Sequence, residues 1–164
     1  MTLRFGILTV SDRSARGERP DLSGPALEEF IRSQGWTVIR SAVCADEQIA
    51  IQETLIAWAE GDVLDVILTT GGTGFTARDV TPEATRAVLE REAPGLAEAM
   101  RQEGLKVTPH SMLSRAVTGM RGRVLILNLP GSPKGAVENL QVVAPVLEHA
   151  VQLLHNDPDA EKHH

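Results

Sequence analysis

The chain has 164 residues and a net charge of −6, which argues against a dedicated nucleic-acid surface but not against one bound nucleotide. A single cysteine, Cys44, excludes an internal disulfide and a thiolate metal cluster. An apolar share of 42%, without low-complexity tracts or a membrane-length apolar run, points to one globular domain in the cytoplasm.

Leu3 to Val10 is apolar and β-branched and reads as a first strand. Ser11 to Asp21 is a polar loop. Ser23 is expected to cap a helix whose inner face carries Leu27, Phe30 and Ile31 and which Gly35 ends. Trp36 to Val43 reads as a second strand. Asp46 stands where an N-cap belongs, ahead of a helix with Ile51, Leu55, Trp58 and Ala59 on one face. Leu64 to Leu68 reads as a third strand, buried on both sides.

A loop rich in glycine and threonine follows, then a helix from Pro82 to about Arg91 with Thr81 at its N-cap. Pro94-Gly95 opens another helix, to about Gly104. Lys106 to Val117 reads as a connection with a short helix near Met112 to Ala116. Arg123 to Leu129 reads as a fourth strand and Pro130 to Gly135 as a second tight loop. The last helix runs from about Pro133 to His155. Its stripe Val137, Leu140, Ala144, Leu147, Val151 and Leu154 is apolar, and Pro145 should kink or break it. The chain divides into a domain over residues 1–156 and a polar tail over 157–164, and Lys162-His163-His164 is given no function.

Strands alternating with amphipathic helices predict a single-domain, three-layer α/β/α fold with a mostly parallel sheet. Such sheets bind ligands beyond the carboxyl ends of their strands. That rule gathers Asp12, Asp46, the segment Thr69 to Asp79, and Pro130 to Lys134 on one rim. Gly72-Thr73-Gly74-Phe75-Thr76-Ala77 formally matches a dinucleotide fingerprint. The match is mechanically poor, because the helix begins several residues later and this is the third unit. No P-loop sequence is present, His110, His149 and His155 lack zinc-type partners, and Gly131-Ser132-Pro133 is no nucleophile elbow. Three aspartates beside glycines, hydroxyls and the cations Arg13, Arg78 and Lys134 suit Mg²⁺ held between carboxylates and substrate phosphates. The bland alternatives are an N-cap for Asp46 and a turn residue for Asp12.

Thr69-Thr70-Gly71-Gly72-Thr73-Gly74, followed by Arg78-Asp79-Val80-Thr81-Pro82-Glu83-Ala84, resembles the signature of the molybdopterin-binding MogA/MoaB family. That family includes the G domains of gephyrin and of the plant molybdenum-insertion protein. Ser11-Asp12-Arg13, Asp21-x-Ser23-Gly24-Pro25, Asp46-Glu47, Pro94-Gly95-Leu96, Met112 to Ala116 and Asn128 to Lys134 extend the resemblance over residues 4 to 155. It implies molybdopterin adenylyltransferase activity: AMP passes from Mg-ATP to the terminal phosphate of molybdopterin and pyrophosphate is released, in molybdenum cofactor biosynthesis. It further implies that Asp46 and Asp79 are catalytic and hold Mg²⁺. Thr70 and the backbone of Gly71, Gly72, Thr73 and Gly74 would cradle phosphate. Arg78 and Lys134 would offset charge, while Asp12, Ser114, Asn128, Pro130, Gly131 and Ser132 would bind pterin or nucleotide. A cytoplasmic homotrimer, with a hexamer in the MoaB branch, and hand-over to a molybdenum-insertion protein are the implied context. The alternative from another class is a carrier that binds molybdopterin without turning over ATP.

Overall fold

The computed structural model describes residues 1–163, without the side chain of His163; His164, the end of the expected tail, lies outside the described residues. The core is a six-stranded sheet in the order β2-β1-β3-β6-β5-β4. β1 (Arg4–Val10), β2 (Thr37–Cys44), β3 (Val66–Thr70) and β6 (Val124–Leu129) are parallel. β4 (Arg91–Glu92) and β5 (Thr118–Arg121) add an antiparallel edge. The three-layer fold stands as expected; the β4–β5 edge is an addition to it.

Side chains alternate across a strand, so each central strand feeds two cores. Leu3, Phe5 and Ile7, with Val66, Leu68, Leu125 and Leu127, face α2 (Ser23–Ser33), α5 (Pro94–Leu105) and α6 (Pro133–Leu154). Leu8, Val10, Ile67 and Ile126 face α3 (Gln48–Glu60) and α4 (Thr81–Val88). Fully burying a Leu or Ile side chain stabilises by roughly 1.5–3 kcal/mol. The stripe of Leu140, Leu147 and Val151, all completely buried, is therefore enough to fix α6 on the sheet. Phe5 stacks on Trp36 with ring centroids 5.4 Å apart. Gly6 leaves the space that the Trp58 ring fills, since a Cβ there would stand 2.9 Å from that ring.

Several local expectations are corrected. α6 runs unbroken through Pro145. Pro145 and Gln141 are both exposed, so the carbonyl left without its i+4 donor meets water. Ser23 lies inside α2 rather than capping it; Asp21 does that work, its Oδ1 accepting from Gly24 N–H at 3.1 Å. Thr81 is the first residue of α4, behind Val80, and its hydroxyl donates to Gly71 O at 2.9 Å. The polar loop after β1 contains one helical turn, α1 (Asp12–Ala15). The short helix expected near Met112 is a 3-10 turn over Pro109–Leu113. Within the segment read as a polar tail, Ala160 is buried, at the start of a 3-10 turn over Ala160–His163.

From β1 the chain moves outward to β2 and returns across β1 to β3. The segments after β1 and β3 thus leave in opposite directions, which opens a crevice at their carboxyl ends.

Candidate functional site

Two clefts open at this rim. The first, of about 500 Å³, lies between the ends of β1 and β3 and is lined by Thr9, Ser11, Arg19, Asp21, Asp46, Thr70, Gly71, Gly72, Asp79, Gly131 and Ser132. Two helix N-termini border it, α2 at Ser23 and α6 at Pro133. Helix N-termini present free N–H groups and partial positive charge, which suits phosphate. The second cleft, of about 510 Å³, is more apolar. Thr73, Gly74, Leu113, Ser114, Pro130 and Ser132 line it, with Val107 and Asn139. Ser132 belongs to both, and its hydroxyl caps α6 by accepting from Gly135 N–H at 3.1 Å.

The glycine loop is shaped by close approach. Gly71 has φ 105° and a Cβ there would stand 2.3 Å from Val10 O. Gly72 has φ 70° and a Cβ would stand 2.3 Å from the Thr81 hydroxyl. These two residues therefore have to be glycine for packing reasons alone. Gly71 N–H donates to Leu129 O at 3.1 Å, which commits it within the fold rather than to a ligand.

Asp46 is not the N-cap of α3; that position is Glu47. Instead Asp46 and Asp12 exchange bonds. Asp12 N–H donates to Asp46 Oδ2 at 2.8 Å, and Asp46 N–H donates to Asp12 Oδ1 at 3.0 Å. Burial pushes the Asp46 carboxyl up from its ordinary value, the carboxylates of Asp12 and Asp79 add to that, and the Asp12 N–H works against it. Asp12 is held low, chiefly by the Arg78 guanidinium. Asp79 Oδ2 accepts from Thr76 N–H at 2.9 Å.

Among the described residues no group of three or more His, Cys, Asp or Glu side chains is arranged to hold a metal. The donor set still fits Mg²⁺. It is a hard ion that commonly takes one or two carboxylates and completes its shell with water and substrate phosphates. Asp46 and Asp79 each have Oδ2 engaged by a backbone N–H, so Oδ1 is the oxygen each has to offer.

Four expected contacts fall elsewhere. Arg78 forks onto Asp12 through Nε and Nη2, both at 3.0 Å, and reaches Glu47 at 2.8 Å. It fastens the rim together and lines neither cleft; Asp12 acts the same way, as the link between Arg78 and Asp46. Asn128 is completely buried. Its amide donates to the Thr69 and Thr85 hydroxyls, each at 2.9 Å, and its carbonyl accepts from Val117 N–H at 3.0 Å. The ligand contact expected of Asn128 is replaced by an internal bracing role. Lys134 is largely exposed, 3.8 Å from Glu138, and lines neither cleft. The other expected residues do line a cleft.

Sequence reasoning missed Arg19, which lines the first cleft, and did not assign Asp21 a role although it lay in a matched motif. Arg115 was also missed as a site residue; it bonds the carbonyls of Gly74 and Asp79. It lay in the matched segment Met112 to Ala116, but its role did not show there, because those partners lie 41 and 36 residues away.

Residues 6–149 match the family described as a probable molybdopterin binding domain. The chain is 44% identical over 157 residues to the molybdenum cofactor synthesis protein cinnamon of Drosophila melanogaster, covering 95% of this chain and 26% of that one. It is 45% identical over 144 residues to the molybdopterin adenylyltransferase of Escherichia coli K12, covering 87% and 74%. The crystal structure of the molybdopterin biosynthesis enzyme MoaB from Thermus thermophilus superposes with a TM-score of 0.90 at 53% identity, covering 96% and 99%. The chain spans only about a quarter of the first two curated relatives it matches, 26% and 23% of their lengths.

Proposed function

The chain belongs to the molybdopterin-binding family, of MogA/MoaB type, and from that premise we propose that it is a molybdopterin adenylyltransferase. In this reading the terminal phosphate of molybdopterin attacks the α-phosphorus of ATP. A new P–O–P bond forms, the bond from the α-phosphorus to the β-phosphate bridge breaks, and pyrophosphate leaves. The attacking phosphate is already anionic, so no general base is required. Transfers of this kind are catalysed mostly by alignment and electrostatic stabilisation.

The observation that carries the reading is the pair Asp46 and Asp79 in one cleft that two helix N-termini border. Asp46 and Asp79 would hold Mg²⁺, which when bound neutralises triphosphate charge. The N–H groups of Gly72 to Gly74 and the N-termini of α2 and α6 would orient the phosphates, with Arg19 as the nearby cation. The second cleft, with its apolar wall and the Ser114 and Ser132 hydroxyls, suits a flat pterin. Ser132 borders both clefts, so the reacting phosphates would meet beside it.

The test is incubation with ATP, Mg²⁺ and molybdopterin, with pyrophosphate measured. Asp46→Asn and Asp79→Asn are expected to lower release at least about 100-fold, roughly 2.7 kcal/mol of barrier. Release within about threefold of the parent, under 1 kcal/mol, overturns the metal role. Tight pterin binding without pyrophosphate leaves the carrier, and no binding of either ligand removes the reading.

The same reading takes the protein to be a cytoplasmic homotrimer that hands its product to a molybdenum-insertion protein. No helix among the described residues is long and apolar enough to cross a membrane. The edge strand β2 exposes Ile39 and Val43, which offers apolar surface to a second copy. Light scattering after size exclusion tests the assembly: the mass of three chains supports it and the mass of one overturns it.

A further inference from the structure

The segment from Thr73 to Val80 carries Asp79 into the first cleft, and it contains neither helix nor strand. Inside it, Thr76 N–H donates to Asp79 Oδ2 at 2.9 Å and Asp79 N–H donates to Thr76 O at 3.0 Å. The chord across it is supplied from outside by one residue. Arg115 N–H donates to Thr73 O at 2.9 Å. Its Nε donates to Gly74 O at 2.8 Å and its Nη2 to Asp79 O at 2.7 Å, and Nη1 pairs with Glu83 in the first turn of α4. One guanidinium therefore joins the start of the loop, its catalytic end and the helix that follows.

Only arginine offers this. Its planar fork presents donors in several fixed directions, whereas a lysine ammonium is a single point charge. Three of the four contacts go to carbonyl groups, so the residue sets backbone position rather than merely balancing charge. Arg115 does not itself line the first cleft; Asp79 and Gly72 do that. Its neighbour Ser114 lines the second cleft, where Thr73 and Gly74 also lie.

We propose that Arg115 is the positioning residue of Asp79. It fixes the distance between Gly74 and Asp79, and with it where the Asp79 carboxylate stands in the first cleft. Because Ser114 and Gly74 form a wall of the second cleft, a ligand there bears on the same brace. The kinetic consequence rests on the transferase reading; the structural consequence does not.

The test uses the full chain with Arg115→Lys and Arg115→Met and two independent readouts. In the ligand-free protein, amide hydrogen exchange over residues 73–80 is expected to quicken at least about tenfold in both variants, with exchange in β1 and β3 unchanged. In turnover, kcat is expected to fall at least about 30-fold while KM for ATP stays within about threefold, because a misplaced Asp79 loses transition-state alignment rather than substrate binding. Unchanged loop exchange in Arg115→Met overturns the inference. So does a kcat within about threefold of the parent despite quickened exchange, or a loss carried wholly by KM. If neither variant folds, Glu83→Gln is read instead: loop exchange at least about threefold faster supports the inference and no change overturns it. A parent that releases no pyrophosphate removes the transferase reading, while the exchange measurement still decides the role of Arg115.

Discussion

Asp12 and Asp46 hold each other by their backbones, each carboxylate accepting the other's N–H at 3.0 and 2.8 Å. The exchange joins the segment after β1 to the segment after β2, and Arg78 extends it to the segment after β3. The Asp46 carboxylate is thereby held from two sides. Asp12→Asn keeps an acceptor for Asp46 N–H but removes the charge that holds Arg78. It is expected to lower pyrophosphate release about three- to tenfold, and Asp12→Ala, which removes the acceptor as well, at least about 30-fold. Steady-state kinetics check this; an Asp12→Ala enzyme as fast as the parent shows the exchange to be without catalytic consequence.

Arg19 lines the first cleft, while Arg78 is committed to Asp12 and Glu47. Arg19→Ala is therefore expected to raise KM for ATP about three- to tenfold and leave kcat within about twofold. The difference should shrink as ionic strength rises, because an exposed charge acts through a screened field. A KM equal to the parent's at low salt counts against a phosphate contact.

At the opposite end of the sheet, Asp65 is buried and takes a fork from Arg4, with Oδ2 accepting from Arg4 N–H at 2.8 Å and from Nε at 3.1 Å, and Oδ1 from Nη2 at 2.9 Å. Burial alone would raise the Asp65 carboxyl, but the Arg4 hydrogen bonds and charge outweigh it and hold it below the usual range. A carboxyl lowered in the folded state contributes stability that is present above its unfolded value and lost as pH falls through its folded value. Asp65→Asn should cost about 2–3 kcal/mol at pH 7, below the roughly 3–5 kcal/mol of a fully buried broken pair because Arg4 is partly exposed. The difference from the parent should shrink as pH falls below the ordinary carboxylate range, as the parent carboxylate itself protonates. Thermal melts across pH read both. A difference that does not depend on pH rules out the charge pair as its source.

Gly71 and Gly17 separate space from conformation. Both have positive φ, 105° and 73°, but a Cβ at Gly71 would meet Val10 O at 2.3 Å, while nothing lies within 4 Å of one at Gly17. Gly17→Ala should cost about 1 kcal/mol and Gly71→Ala about 3 kcal/mol or more, because only the second must also move backbone. Chemical denaturation compares them directly; equal losses would show that the approach of Gly71 to β1 relaxes freely.

Much of the architecture was legible in the sequence because its causes are local. The runs Leu3 to Val10, Leu64 to Leu68 and Arg123 to Leu129 are apolar enough to need burial on both faces, and each is a central strand. β5 was not legible. Thr118-Gly119-Met120-Arg121 has little strand character of its own and becomes a strand by pairing with β6. The acidic residues of the rim were legible because they follow strands at a predictable end of the sheet. The fates of Arg78, Asn128 and Arg115 were not. Arg78 looked like a phosphate ligand until Asp12, 66 residues earlier, appeared beside it. Asn128 looked like a pterin or nucleotide contact until Thr69 and Thr85 closed over it. Sequence spacing identifies which chemistry is available; long-range contacts decide how it is used.

The first cleft draws on residues from Thr9 to Pro133, and its walls meet only where β1 pairs with β3 and β3 with β6. Those pairings join parallel strands distant in the chain, which makes them slow to form. During folding the ability to hold a ligand should appear late and all at once, with the last of the central pairings. Ligand binding is then a stringent report on whether the whole domain has finished folding, and destabilising changes far from the rim should register there as a smaller active fraction rather than as a slower enzyme.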